Sequence, residues 1–125
     1  MAVKYLESGR YVTGVLKKGA RGHSYGLVCS RLSAGELSGV RLALDARIHG
    51  SRIETSSWIP GSDWRQTPYQ PIFDKAARSN YDLSAMMFGL MVWEAFERHP
   101  DDWYTTRFSA GGEEDRFRVY FKSDV

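Results

Sequence analysis

The residues best suited to chemistry in this chain form a short basic segment, Lys17–His23. Three cationic side chains fall within five residues, a histidine closes the segment, and the glycines between them leave backbone amides accessible. Such groups fix the phosphates of a nucleic acid in position without reading its sequence. The candidate contacts are Lys17, Lys18, Arg21 and His23. The sequence favours a solvated hairpin tip at Lys17–His23, whose charge keeps the protein soluble, and the alternative is a nucleic-acid-binding module that uses this hairpin loop.

Aromatic and cationic side chains near the basic segment would add to such a site. Tyr11, Tyr25 and Arg31 lie on the segments that adjoin it. Aromatic rings and guanidinium planes stack on exposed bases in proteins that bind single strands. These residues are expected to support the basic segment if it binds nucleic acid.

A second group of chemical side chains surrounds His49 and Glu54, with Arg52 between them. An imidazole and a carboxylate at one end of a hairpin could act as general acid and base on RNA. The pair suggests a small nuclease or hydrolase, although Arg47 offers Glu54 a purely structural partner. The chain contains no C-x-x-C, no H-E-x-x-H and no phosphate-binding G-x-x-x-x-G-K-[ST] pattern. We therefore assign no catalytic residues, no metal site and no cofactor from the sequence.

Length and composition limit the class of protein. A chain of 125 residues with a net charge of +2 is most simply a single domain spanning residues 1–125. Its one cysteine, Cys29, permits no intrachain disulfide, which favours a cytoplasmic location. The first residues contain no apolar secretory segment. The longest apolar run, Leu83–Trp93, has 11 residues, and a membrane span needs about 20. No membrane partner is expected.

The sequence predicts that these residues are positioned mostly by β-strands. The clearest is Val40–His49, in which apolar residues alternate with polar ones, as in a half-buried antiparallel strand. We predict an α+β fold with a mostly antiparallel sheet of about six strands packed on one long helix at about 80–99, in the order β-β-β-β-(short α)-α-β-β. Residues 60–71, rich in proline and aromatic residues, are expected to form an ordered loop. The predicted strands are Tyr11–Lys17, Ser24–Leu32, Val40–His49, Arg52–Ile59, Tyr104–Ser109 and Arg116–Lys122.

The long helix presents two apolar faces. One face, with Phe88 and Phe96, is expected to pack against the sheet. The other face is apolar in its N-terminal half and charged in its C-terminal half. Five exposed Leu and Met side chains would cost on the order of 10 kcal/mol, so loop 60–73 or another chain must cover the second face. We predict a small non-enzymatic binding protein that acts through this face as a homodimer or as an accessory or inhibitor subunit. The predicted interface residues are Leu83, Met86, Met87, Leu90 and Met91, with Trp64 and Tyr69 as aromatic anchors.

Overall fold

A computed structural model describes residues 3–6, 8–11, 14, 16–49, 53–55, 64–100, 102–109 and 116–122. Three α-helices lie within these ranges: α1 (Gly19–Arg31), α2 (Ala34–Ile48) and α3 (Tyr81–Arg98). A five-residue π-helical turn at Ile72–Ala76 precedes α3. The described strands are β1 (Val3–Tyr5), β2 (Ile53–Thr55), β3 (Trp103–Ser109) and β4 (Arg116–Lys122).

The strands form one sheet in the order β1-β3-β4-β2. Only β1 and β3 run parallel, with Val3 opposite Trp103, while β4 pairs antiparallel with both β3 and β2. The predicted six-stranded, mostly antiparallel sheet on one long helix is therefore wrong. Helices occupy most of the first half of the described chain, so the predicted order β-β-β-β-(short α)-α-β-β is wrong as well.

The predicted strand Val40–His49 is helix α2. Its buried residues are Val40, Leu44 and Ile48, spaced four apart on one side of the helix. The same three residues also fit the alternating pattern of a strand, which is why the sequence suggested one. A strand would also bury Leu42, but this side chain is 67% exposed. Residues 50–51, which would join this strand to the predicted strand Arg52–Ile59, lie outside the described residues.

The predicted strand Ser24–Leu32 is also helical, because it lies almost entirely in α1. A capping box starts α2 directly afterwards. The Ser33 side chain accepts a hydrogen bond from the Glu36 N–H at 3.1 Å, and the Glu36 carboxylate accepts one from the Ser33 N–H at 2.9 Å. This pairing satisfies two amides that the first turn would otherwise leave without partners, and so it fixes where α2 begins.

Helix α3 lies between the sheet and the other helices. Phe96 stacks on Tyr120 of β4, with ring centres 4.0 Å apart, and meets Trp103 of β3 edge to face at 4.6 Å. Helices α1 and α2 and the π-helical turn also contact α3. In the described part of the chain, no helix combines the length and the apolar character of a membrane span.

The predicted loop 60–71 is described from residue 64 onward. Turns occupy residues 65–69, and residues 70–71 already belong to the helical segment that continues into the π-helical turn. Trp64 and Tyr69 pack on Phe88 of α3, with ring centres 5.2 and 5.3 Å away. This part of the loop therefore covers the first half of α3 on the side of Phe88.

Candidate nucleic-acid interface

The basic segment Lys17–His23 forms the entry to α1 and its first turn. The prediction that it is the tip of a hairpin is wrong, because a helix begins at Gly19. The structure brings its four candidate side chains to one helix end and leaves all of them exposed. They are Lys17, Lys18, Arg21 and His23.

Glycine shapes the entry to α1. Gly19 has a φ of 64°, in the left-handed region that side chains disfavour. Gly22 lies against the backbone of Lys17, where an added Cβ would meet the Lys17 carbonyl carbon at 2.7 Å. The Lys17 N–H in turn donates to the Gly14 carbonyl at 3.1 Å. These contacts fix the backbone that carries the two lysines.

The electrostatics of this helix end favour anions. Lys18 is the N-cap residue and makes no capping hydrogen bond through its side chain, and the first turn contains no acidic residue. Within the described residues, none of the four basic-segment side chains forms an ion pair. The cations therefore add to the positive end of the helix dipole without compensation. Such an end can hold phosphate groups through charge and through free backbone amides.

A second charged cluster joins the three helices around Glu94 of α3. Arg41 of α2 donates from Nε to Glu94 Oε1 at 2.8 Å and from Nη2 to Oε2 at 3.0 Å. Arg98 donates to Glu94 Oε1 and to Asp45 Oδ1 of α2, both at 2.6 Å. The Tyr25 hydroxyl of α1 donates to Glu94 Oε2. Each cation in this cluster therefore has a carboxylate partner.

The cluster shifts the pKa values of its members in opposite directions. Burial alone would raise the pKa of Glu94, but hydrogen bonds from Arg41 and Tyr25 outweigh it and hold this pKa below its usual range. Burial, followed by the hydrogen bond to Glu94, raises the pKa of Tyr25. Arg41, Glu94 and Arg98, together with Glu97, line an open depression of about 370 Å³. Because its charges are already paired, we assign this cluster to helix packing.

The residues predicted to form a protein interface lie in different environments. Met87 and Met91 are fully buried and belong to the core, and Leu90 is buried as well. Leu83 is half-buried, whereas Met86 is 42% exposed. The aromatic anchors Trp64 and Tyr69 contact Phe88 of this same chain. The protein interface at these residues stays a prediction, with its exposed part at Met86.

His49 and Glu54 do not share a hairpin. His49 ends α2 and is exposed, while Glu54 belongs to β2 and lies opposite Tyr120 of β4. Arg47 lies in α2, so the predicted hairpin that would place it opposite Glu54 is wrong. Arg52 and the Glu54 side chain lie outside the described residues. Among the residues that are described, no three His, Cys, Asp or Glu side chains are grouped as a metal site would require.

One group of candidate residues was missed by sequence reasoning, although one member, Tyr11, was named. Lys4 and Tyr104 lie on either side of the β1–β3 pairing, opposite each other in register. Tyr11 forms an isolated bridge with Lys4 on the other edge of β1. The Lys4 ammonium is 4.9 Å from the centre of the Tyr11 ring and 5.9 Å from that of Tyr104. No local sequence pattern indicates this group, because it is formed by the parallel pairing of two segments that are far apart in the chain.

Comparison with known proteins identifies no relative. No family model matches the chain, no curated protein matches its sequence, and no solved structure matches its fold.

Proposed function

We propose that this protein is a small cytoplasmic nucleic-acid-binding protein that holds phosphates at the start of α1. One observation carries the proposal: the four basic side chains of this helix end are exposed and have no ion-pair partner within the described residues. Elsewhere in the described structure, the cations Arg41, Lys75 and Arg98 are paired with carboxylates. The start of α1 therefore gathers several exposed basic side chains without ion-pair partners in one short segment, where they are available to a partner.

Chemistry and backbone geometry support the same proposal. Lysine and arginine contacts to phosphate supply most of the sequence-independent affinity of nucleic-acid-binding proteins. The glycine-shaped entry keeps the Lys17 backbone fixed against Gly22, so part of the ordering cost of binding is met in the free protein. The cytoplasmic location rests on Cys29, the one cysteine of the sequence.

Fluorescence anisotropy with labelled single-stranded and duplex DNA, measured at several salt concentrations, tests the proposal. We expect the affinity to fall steeply with salt, and the double variant Lys17→Gln, Lys18→Gln to bind less tightly. The slope of log K against log salt should decrease by about 1.4 to 1.8, because each phosphate contact contributes about 0.7 to 0.9. The matched control is Lys75→Gln, Arg78→Gln, which removes the same charge from exposed positions outside α1.

Two results would overturn this proposal. One is the absence of binding to either DNA at low salt. The other is an equal loss of affinity in the Lys17, Lys18 double variant and in its control, which would show that only net charge matters.

A second candidate function is binding of a protein partner, either another copy of this chain or a protein to which it serves as an accessory or inhibitor subunit. The observation that favours it is the exposure of Met86 and Tyr81 on the first turns of α3, at 42% and 70%. Light scattering of the wild type and of Met86→Glu tests the homodimer. A dimer that becomes a folded monomer in the variant would support it, and a monomeric wild type would exclude it.

A further inference from the structure

We infer that the outer face of the sheet at the β1–β3 pair, formed by Tyr11, Lys4 and Tyr104, is a stacking site for the bases of a single-stranded nucleic acid. The inference rests on the proposed function of the α1 start, and it names the class of nucleic acid that the protein prefers.

The backbone brings these three residues into one row. Gly9, at a φ of 69°, lets the chain reverse after β1, and the Tyr5 N–H donates to the Arg10 carbonyl at 2.9 Å. This reversal places Tyr11 beside Lys4 in an antiparallel bridge. On the other side of β1, Lys4 lies opposite Tyr104 of β3. The row therefore runs across the sheet with the lysine between two tyrosines.

The row faces away from α3. Val3, Trp103 and Thr105 are fully buried, and the Trp103 ring contacts Phe96 of α3. Side chains alternate between the two faces of a strand, so Lys4 and Tyr104 lie on the opposite face. Lys4 and Tyr104 are half-buried there, and Tyr11 is 56% exposed. The aromatic surface that is accessible from outside the protein is thus chiefly the Tyr11 ring.

The chemistry of the row suits a nucleotide. The ammonium of Lys4 is held near both rings by cation–π attraction, where it can meet a phosphate. The rings offer flat faces for bases, and aromatic rings interleaved with cations are the usual composition of single-strand sites. Bases in a duplex are already stacked on one another and cannot reach a ring on a sheet. The row therefore favours single strands, whereas the start of α1 accepts any polyanion.

The two sites lie close enough for one strand to contact both. Six residue steps separate Tyr11 from Lys17, and an extended chain spans at most about 3.6 Å per residue, which limits their separation to about 22 Å. Single-strand sites commonly cover about 4 to 16 nucleotides. The longer of these sites exceed the largest separation that the chain allows between Tyr11 and Lys17.

The test measures the affinity of Tyr11→Ala for an oligothymidylate, a DNA duplex and inorganic polyphosphate, which carries charge but no bases. We expect the affinity for oligothymidylate to fall about tenfold, since the loss of one stacking ring lowers affinity by roughly 5- to 150-fold. Affinity for the duplex and for polyphosphate should not change, and neither should the salt slope. Tyr81→Ala, which removes another highly exposed tyrosine, is the matched control and should bind all three as the wild type does.

The outcomes separate this inference from the function on which it rests. If Tyr11→Ala binds oligothymidylate as the wild type does while Lys17→Gln, Lys18→Gln loses affinity, the stacking site is wrong and the phosphate site stands. Equal losses for all three ligands would also overturn the stacking site. If the wild type binds none of them, both proposals fail. Tyr11→Leu, which keeps apolar bulk without a π-face, should show the same selective loss and covers the case in which the alanine variant does not fold.

Discussion

Glu94 of α3 and Arg41 of α2 form a two-point hydrogen bond, with N–O distances of 2.8 and 3.0 Å. The Glu94 side chain is only 12% exposed, so the carboxylate has lost much of its water. Its replacement hydrogen bonds come from Arg41, from Arg98 and from Tyr25 of α1. One carboxylate thus joins all three helices, and the charge balance around it can be tested one residue at a time.

The variant Arg41→Ala should destabilise the protein by about 1–3 kcal/mol, because it leaves a poorly hydrated carboxylate with fewer donors. Urea unfolding at neutral pH gives the change in the free energy of unfolding. Lys75→Ala is the matched control, since the ion pair of Lys75 with Glu36 is more exposed and pairs of that kind contribute about 0–1 kcal/mol. Equal losses in the two variants would contradict a special role for Glu94.

Stability should depend on the ionisation of Glu94 in acid. Its pKa lies below the ordinary value of 4.5 in the folded protein, so the folded state favours the ionised form. The resulting stabilisation is fully present above the unfolded-state pKa and is lost as the pH falls through the folded-state pKa. The difference in unfolding free energy between the wild type and Glu94→Gln should therefore shrink as the pH falls below about 4.5. A difference that stays constant down to strong acid would refute this assignment.

Two glycines in α1 should respond to alanine with opposite signs. Gly26→Ala should stabilise the protein by about 0.5–1 kcal/mol, because alanine is the better helix former and, apart from the neighbouring backbone of α1, no atom of the described residues lies within 4 Å of the added Cβ. At Gly22 the added Cβ meets the Lys17 backbone at 2.7 Å, and such overpacking costs about 1–3 kcal/mol. Thermal unfolding compares the two. Stabilisation by Gly22→Ala would mean that the entry to α1 does not have this shape.

The capping box of α2 predicts a fourth stability effect. Ser33→Ala removes the acceptor for the Glu36 N–H and should cost about 1 kcal/mol. Ser38→Ala lies on the exposed side of the same helix, where alanine favours helix, so it should be neutral or slightly stabilising. Chemical denaturation distinguishes the two serines, and equal behaviour would argue against the cap.

Part of the fold follows from local sequence and part does not. The helix at Tyr81–Arg98 and the strands at Trp103–Ser109 and Arg116–Lys122 lie close to their predicted positions. Val40, Leu44 and Ile48 fit both a strand face and a helix stripe, so apolar spacing alone could not separate the two. The capping box at Ser33 and Glu36 was the signal that favoured a helix.

The candidate site was predictable in composition but not in geometry. The basic residues of Lys17–His23 stand out in the sequence, yet whether they occupy a hairpin tip or a helix start depends on backbone conformation at Gly19 and Gly22. The row of Tyr11, Lys4 and Tyr104 depends on a pairing between distant segments, for which a local pattern contains no signal.

The parallel pairing of β1 with β3 also affects the order in which parts of the protein can fold. Val3 and Trp103 are neighbours in the sheet although 100 positions separate them in the chain, and contacts between such distant segments form slowly. During synthesis, β1 emerges from the ribosome before β3 and stays without this partner until β3 follows. Helix α1 can form long before then. The proposed phosphate site at the start of α1 would thus form early, and the proposed stacking row of Tyr11, Lys4 and Tyr104 late.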